Sequence, residues 1–280
     1  MSVLTPTPSL SANSSLPSTP AVSTNQLMRE AAAAQIELYC RKLRLPSLKQ
    51  GFTQVVREAI VNNQHPLDFL VACLSLEADG RMQRLLQKRI KQARFPAAKT
   101  LDRYDFSLVP DLSRPRMLDL AEGGFIREKE NVVILGPSGL GKTHLAIGIG
   151  MGAILAGYQV RFTTAAALAQ ELRLAHKELR LPKLLKSYSR QELVIVDELG
   201  YVSLAEEGSL LFQFFAERYE RGSVLITSNL EFSRWGEIFG DPTMTAALLD
   251  RLTHHAHLLV LNGESYRFRQ SRDRQRREQA

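Results

Sequence analysis

Apolar positions change their period once along this chain, near residue 100. From Leu27 to about Arg94 they recur three and four apart, as in LMREAAAAQIELYCRKLRL, the spacing of helices buried along one side. Pro46 breaks the pattern, and LKQGFTQVVREAIVNNQ (48–64) predicts a second helix. Pro66 stands near the start of a further stretch, in which Gly80 predicts an interruption. Three to five helices and no strand are expected. Beyond residue 100, short β-branched runs at 131–135, 159–163, 193–197, 223–228 and 257–261 alternate with helical stretches. Such alternation predicts an α/β domain, a parallel five-stranded sheet with helices on both faces, preceded by a small all-helical domain. The most apolar long stretch, 144–160, is interrupted by four glycines. It predicts a buried helix rather than a membrane span, and no membrane partner.

Charge sharpens these boundaries. The net +7 is uneven: residues 27–103 carry 14 Lys/Arg against 7 Asp/Glu, 104–265 carry 16 against 20, and 266–280 carry 6 against 2. A mildly acidic middle between basic ends suggests a central engine with polyanion-binding appendages. Residues 1–26 hold no charge and are rich in Ser, Thr and Pro, the composition of a disordered leader. The expected organisation is therefore a leader (1–26), a basic helical domain suited to DNA (27–100), an α/β domain (101–265) and a basic disordered tail (266–280). Two widely spaced cysteines, Cys40 and Cys73, argue against a disulfide framework or zinc site and point to the cytoplasm. Residues 81–94 hold six basic residues and no acid. On a helix Arg81, Arg84, Lys88 and Lys91 fall within roughly 80° of arc, apart from an apolar stripe of Met82, Leu86, Ile90 and Ala93. A solvated face and a row of phosphate contacts are both open. Crowded like charges repel unless an anion is present, which favours the second.

The chemistry concentrates in Gly136-Pro137-Ser138-Gly139-Leu140-Gly141-Lys142-Thr143, a G-x-x-x-x-G-K-[ST] sequence between the strand NVVIL and the helix that begins THLAIG, with His144 next in line. Glycines let backbone N–H groups curl toward phosphates, and the helix N-terminus adds partial positive charge. Lys142 is placed for the β- and γ-phosphates of ATP, and the Thr143 hydroxyl for Mg²⁺. A second apolar strand, in ELVIVDELG (192–200), ends in Asp197 and Glu198. Asp197 suits the metal shell and Glu198 the polarisation of an attacking water. Asn229, closing the strand GSVLITSN, could contact the γ-phosphate or orient that water. Arg251, on the helical stretch MTAALLDRL, could stabilise charge at a neighbouring subunit's γ-phosphate. His254, His255 and His257 are too close in sequence for a usual metal site.

GPSGLGKT, VIVDELGY, LITSNL and ALLDRL, in this order and with GESYR near the end, resemble the IstB-like ATPases from about residue 28 to 269. These are transposition helpers of bacterial insertion sequences, within the AAA+ superfamily and near the DnaC helicase loaders and DnaA initiators. The resemblance implies an AAA+ P-loop core. It implies ATP and Mg²⁺ at the motifs above, Asn229 at the sensor-1 position and Arg251 as an arginine finger acting in trans. It places adenine near Tyr104–Phe106. It likens residues 165–190 to the helical insertion of the initiator clade, whose Arg173, Lys177, Lys183, Lys186 and Arg190 could face DNA or simply solvent. Only 29 residues follow Arg251, too few for a full helical lid with a second sensor arginine; Arg267 and Arg269 are the substitutes on offer.

The expected function is that of an ATP hydrolase which assembles on duplex DNA as an oligomer and assists a partner transposase in DNA recombination. A DnaC-like helicase loader is the alternative, weighed against by the lack of any aromatic in 81–94 for stacking on single strands. A small-molecule kinase would need a lid and an acceptor pocket. A two-metal nuclease would need a third carboxylate beside Asp197 and Glu198.

Overall fold

A computed structural model describes residues 24–201, 204–263 and 265–266. The chain divides into two compact units, Met1–Arg81 and Met82–Ala280.

In the first unit, helices α1 (Thr24–Lys42) and α2 (Pro46–Val61) precede α3 (Pro66–Ala93), which runs on into the second unit. Pro46 and Pro66 are the first residues of α2 and α3, where a missing N–H costs nothing. The start of α2 has no cap of its own. Its Ser47 and Leu48 N–H groups donate to the Glu77 carboxylate at 2.8 and 3.1 Å, which satisfies two of the orphan donors of that helix end. α3 passes through Gly80 unbroken, against the expected interruption. One glycine costs a helix only about 1 kcal/mol, and the strong helix formers around it absorb that.

The second unit is built on strands β1 (Asn131–Leu135), β2 (Val160–Thr164), β3 (Leu193–Leu199), β4 (Ser223–Ser228) and β5 (Ala256–Val260). They form one all-parallel sheet in the order β2-β3-β4-β1-β5. The alternation of strand and helix in the sequence produces this, because parallel neighbours need crossover connections. Side chains of period two divide the core. Val132, Ile134, Leu193, Ile195 and Leu225 pack on one face with α4 (Arg114–Glu122), α5 (Gly124–Arg127) and α6 (Lys142–Leu155). Val133, Leu135, Val194, Val196, Val224 and Ile226 pack on the other. There they meet α7 (Ala165–Lys177), α8 (Leu181–Ser189), α9 (Gly208–Arg218), α10 (Gly236–Phe239) and α11 (Pro242–Thr253). Helix α6 is the buried helix expected from the apolar 144–160 stretch. A Cβ on Gly152 would lie 2.7 Å from the Ala121 carbonyl, so its bare backbone is what lets α4 come this close.

Arg218 locks the far end of the sheet. Its guanidinium is buried and donates to the carbonyls of Tyr188, Gln191 and Ser223 at 2.8, 3.0 and 2.9 Å. Burial pushes its pKa down to about 10, still high enough to keep the charge at neutral pH. No helix among the described residues is long and apolar enough to cross a membrane.

Candidate functional site

The glycine-rich loop joins the carboxyl end of β1 to the first residue of α6. Gly136 N donates to Ser228 O at 3.2 Å, which ties the loop to β4 next door. Gly141 has φ 79, and a Cβ there would sit 2.7 Å from the Tyr104 ring, so both conformation and space demand glycine. Lys142 is buried, and its Nζ donates to the carbonyls of Gly136 and Pro137 at 2.7 and 2.9 Å. The ammonium is thus folded back over the loop that would cradle phosphates.

Three elements converge on Asp197, a carboxylate only 2% exposed. Thr143 Oγ1, at the start of α6, lies 2.9 and 3.1 Å from its two oxygens. Thr227 Oγ1, near the end of β4, donates to Oδ1 at 2.5 Å and accepts from the Glu198 N–H at 3.0 Å. The β3–β4 register shifts between Val196 and Leu199, and Glu198 adopts φ 62. A bulge re-aims the side chain it carries. Here it turns Glu198 outward between buried Asp197 and buried Leu199. Asn229 follows β4, and its Oδ1 is buried with no hydrogen-bond partner.

A cavity of about 450 Å³ opens over these groups, lined by the loop from Gly139 to His144, by Glu198, Tyr201 and Thr227, and by Lys99, Arg103, Tyr104 and Tyr266. That volume lies within the usual range for small-molecule sites. Tyr104 supports the loop: its hydroxyl donates to Leu140 O at 2.8 Å, and its ring meets Phe106 and His144 edge-on. Burial, with Asp105 nearby, pushes the phenol up to about 12. The site fits a triphosphate and a hard cation on its own terms. A hydroxyl and a carboxylate stand together as oxygen donors, and cations line the cavity, whose lining does not include Asn229.

The structure thus brings together the residues of 136–144 with Asp197 and Glu198. Arg251 does not line this cavity; its guanidinium sits 5.0 Å above the Phe212 ring. Arg81, Arg84, Lys88 and Lys91 are all exposed on α3, with Arg81 3.8 Å from Glu77. The apolar stripe expected beside them is incomplete. Leu86 and Ala93 pack on the core, but Met82 and Ile90 are exposed, so the α3 segment is held along only part of its length. Lys177, Lys183, Lys186 and Arg190 are exposed on the α7–α8 hairpin, while Arg173 lies 3.2 Å from Glu207. His257 pairs with Glu130 at 2.8 Å, and His254 meets His255 edge-on. Arg267, Arg269, the rest of the basic tail and residues 1–23 of the leader lie outside the described residues.

Two groups escape a reading of the sequence. Thr227 is one small polar residue at a strand end like many others. Tyr201, beyond the strand that carries Asp197, reaches back so that its hydroxyl lies 2.7 Å from Ser138 Oγ of the loop. The aromatic after DELG was the available signal for the second.

A parallel sheet in this order, with the glycine-rich loop between β1 and α6 and an acidic strand end beside it, is an AAA+ P-loop core. Within that class the chain belongs to the IstB-like ATP binding protein family, which matches residues 39–274. It is 41% identical over 239 residues to the insertion sequence IS5376 ATP-binding protein of Geobacillus stearothermophilus, spanning 85% of this chain and 95% of that one. The insertion sequence IS21 ATP-binding protein of Pseudomonas aeruginosa is 39% identical over 85% of this chain and 90% of its own length. Among solved structures, the replication initiator DnaA bound to AMPPCP and single-stranded DNA shares the fold. It has a TM-score of 0.50 and 19% identity, over 61% of this chain and 52% of that chain.

Proposed function

We propose that this protein hydrolyses ATP to control its assembly on duplex DNA, and that the assembly assists the transposase of an insertion sequence in the cytoplasm. The convergence of Thr143, Thr227 and Asp197 beneath the glycine-rich loop carries the reading. Lys142 releases the Gly136 and Pro137 carbonyls and takes the β- and γ-phosphates. Thr143 and Asp197 hold Mg²⁺, which when bound neutralises charge on the phosphate oxygens. Glu198 accepts the proton of the attacking water, and Asn229 orients that water. Arg251 lies off its own chain's cavity, which supports a role at the γ-phosphate of a second copy. A site completed by a neighbour makes ATP binding and oligomerisation one event.

Arg84, Lys88 and Lys91 on α3, with Arg81 ahead of them, and Lys183 and Lys186 on α8 would meet phosphates of the duplex. Backbone contacts of this kind carry little sequence information, so target choice is broad. The test is binding to long random-sequence duplex with ATP and Mg²⁺, a non-hydrolysable analogue or ADP. Single-stranded DNA serves as competitor, and electron microscopy images the product. ATP-dependent multimers on duplex, weakened by salt, are expected. A preference for single strands, or no DNA binding without a second protein, would move the reading to helicase loading.

A further inference from the structure

Strand β3 loses its alternation once along its length. Leu193 and Ile195 pack on the face that carries α6, and Val194 and Val196 pack on the other. A strict period of two would return Leu199 to the α6 face. It lies instead with Val194 and Val196, fully buried. One extra residue has entered the strand, and the ladder shows where. Val196 pairs with Ile226 and Leu199 with Ser228, so Asp197 and Glu198 together stand opposite the single residue Thr227.

The extra residue gives the two acids different surroundings. Asp197 stays buried beside Thr143 of α6, while Glu198 is exposed. A bulge also takes the extra residue out of the ladder, and an amide left unpaired there is costly. Thr227 Oγ1 answers both acids. It accepts the Glu198 N–H at 3.0 Å and donates its one proton to Asp197 Oδ1 at 2.5 Å. Thr227 is 1% exposed, so water cannot replace either bond. The next hydroxyl along β4 cannot stand in, because Ser228 Oγ is bonded to the backbone of Leu230.

We infer that Thr227 is a positioning residue for ATP hydrolysis, in which one hydroxyl sets both the carboxylate of Asp197 and the backbone that aims Glu198. The inference rests on the hydrolysis reading above, where Asp197 holds Mg²⁺ and Glu198 accepts a proton from water. It adds that the two acids are adjusted together, because they share one oxygen on the neighbouring strand.

The test uses the full chain and three substitutions. Thr227→Val keeps the shape of the side chain and removes the hydroxyl. Thr227→Ser and Thr227→Ala both lose the methyl, so they differ from each other only in the hydroxyl. Binding of a fluorescent ATP analogue is titrated with Mg²⁺, starting in EDTA, and turnover is counted per nucleotide-binding site at saturating ATP and Mg²⁺. In EDTA all variants should bind as wild type does. Thr227→Val and Thr227→Ala should need about 10-fold more Mg²⁺ and turn over about 100-fold more slowly, with KM for ATP unchanged, the range for lost partners of a metal ligand. Thr227→Ser should return both values to those of wild type. Wild-type turnover and Mg²⁺ demand in either hydroxyl-free variant overturn the inference. So does a Thr227→Ser variant as impaired as Thr227→Ala, which would make the side chain a packing element. A change in only one of the two readouts means that the acids are set separately, and overturns it too. If Thr227→Val fails to fold, the Thr227→Ser and Thr227→Ala pair decides. A wild type that binds ATP without hydrolysing it overturns the hydrolysis reading instead; an unmoved Mg²⁺ titration would then overturn the role of Thr227 separately.

Discussion

Around Asp197, hydroxyls from α6 and β4 hold the carboxylate, the same Thr227 oxygen receives the Glu198 N–H, and the whole assembly hangs on strands buried on both faces. The first unit is the opposite. Of its described residues only Cys40, Cys73 and Glu77 are buried, while Leu67, Leu70, Val71 and Leu74 on α3 are each more than half exposed. A region that buries so little apolar surface gains little stability from its own packing. The contrast separates two kinds of organisation. One site is shaped before its ligand arrives; the other region has little core of its own to hold it. If so, damage to the first should abolish chemistry outright, and damage to the second should change only what the chemistry acts on.

The sharpest way to break that division is Arg251→Ala. Its guanidinium stacks on Phe212 away from the cavity of its own chain, so the substitution should leave ATP affinity intact. Turnover should fall by about 10³, the usual range for a lost arginine finger, together with ATP-dependent assembly. Phosphate release and light scattering measure the two. A variant that stays monomeric yet turns over at the wild-type rate would show that each chain completes its own site. Next in size is Lys142→Ala. It removes charge-assisted bonds to two phosphates, and nucleotide affinity should drop about 100-fold. Binding of a fluorescent ATP analogue reads this directly. Duplex binding by this variant that is unchanged with and without ATP would uncouple the two regions.

The same contrast governs what the sequence disclosed. The glycine-rich loop, the five strands and the Asp197–Glu198 strand end are local patterns, fixed by residue types a few positions apart, and they stand where the sequence put them. Gly80 misled because a glycine is a weak signal once its neighbours are strong helix formers. Met82 and Ile90 misled because helical periodicity identifies a face without saying whether anything covers it. Thr227, the contact between Tyr201 and Ser138 and the bond from Tyr104 to Leu140 were hidden for another reason. Each joins positions 30 or more residues apart, and only the fold brings them together.

A smaller effect is expected on the basic face of α3, just inside the second unit. Arg84→Ala with Lys88→Ala removes two charges from α3. The slope of log affinity against log salt for duplex binding should flatten by about 1.8, from about 0.9 per phosphate contact. ATP turnover in the absence of DNA should stay at the wild-type rate. An unchanged slope would make this face of α3 a solvated surface.

The smallest effect tests whether the preformed site stays preformed across pH. Tyr104→Phe deletes one hydroxyl that donates to the loop carbonyl of Leu140 at 2.8 Å, at a cost of about 1 kcal/mol, or about fivefold in ATP affinity. In wild type this bond needs the neutral phenol. Burial disfavours the phenolate first, and Asp105 adds to it, so the folded pKa rises from 10.0 to about 12. A group whose folded pKa is raised contributes fully below its unfolded value and loses the contribution as pH climbs through the folded one. The Tyr104 bond should therefore hold the loop unchanged up to about pH 10, and the ratio of wild-type to Tyr104→Phe affinity should stay flat over that range. Titrating both proteins with ATP from neutral pH to pH 10 decides it. A ratio that collapses toward one well below pH 10 would mean that the ring is solvated and the loop is shaped by the nucleotide after all, which would move this edge of the site into the class of the first unit.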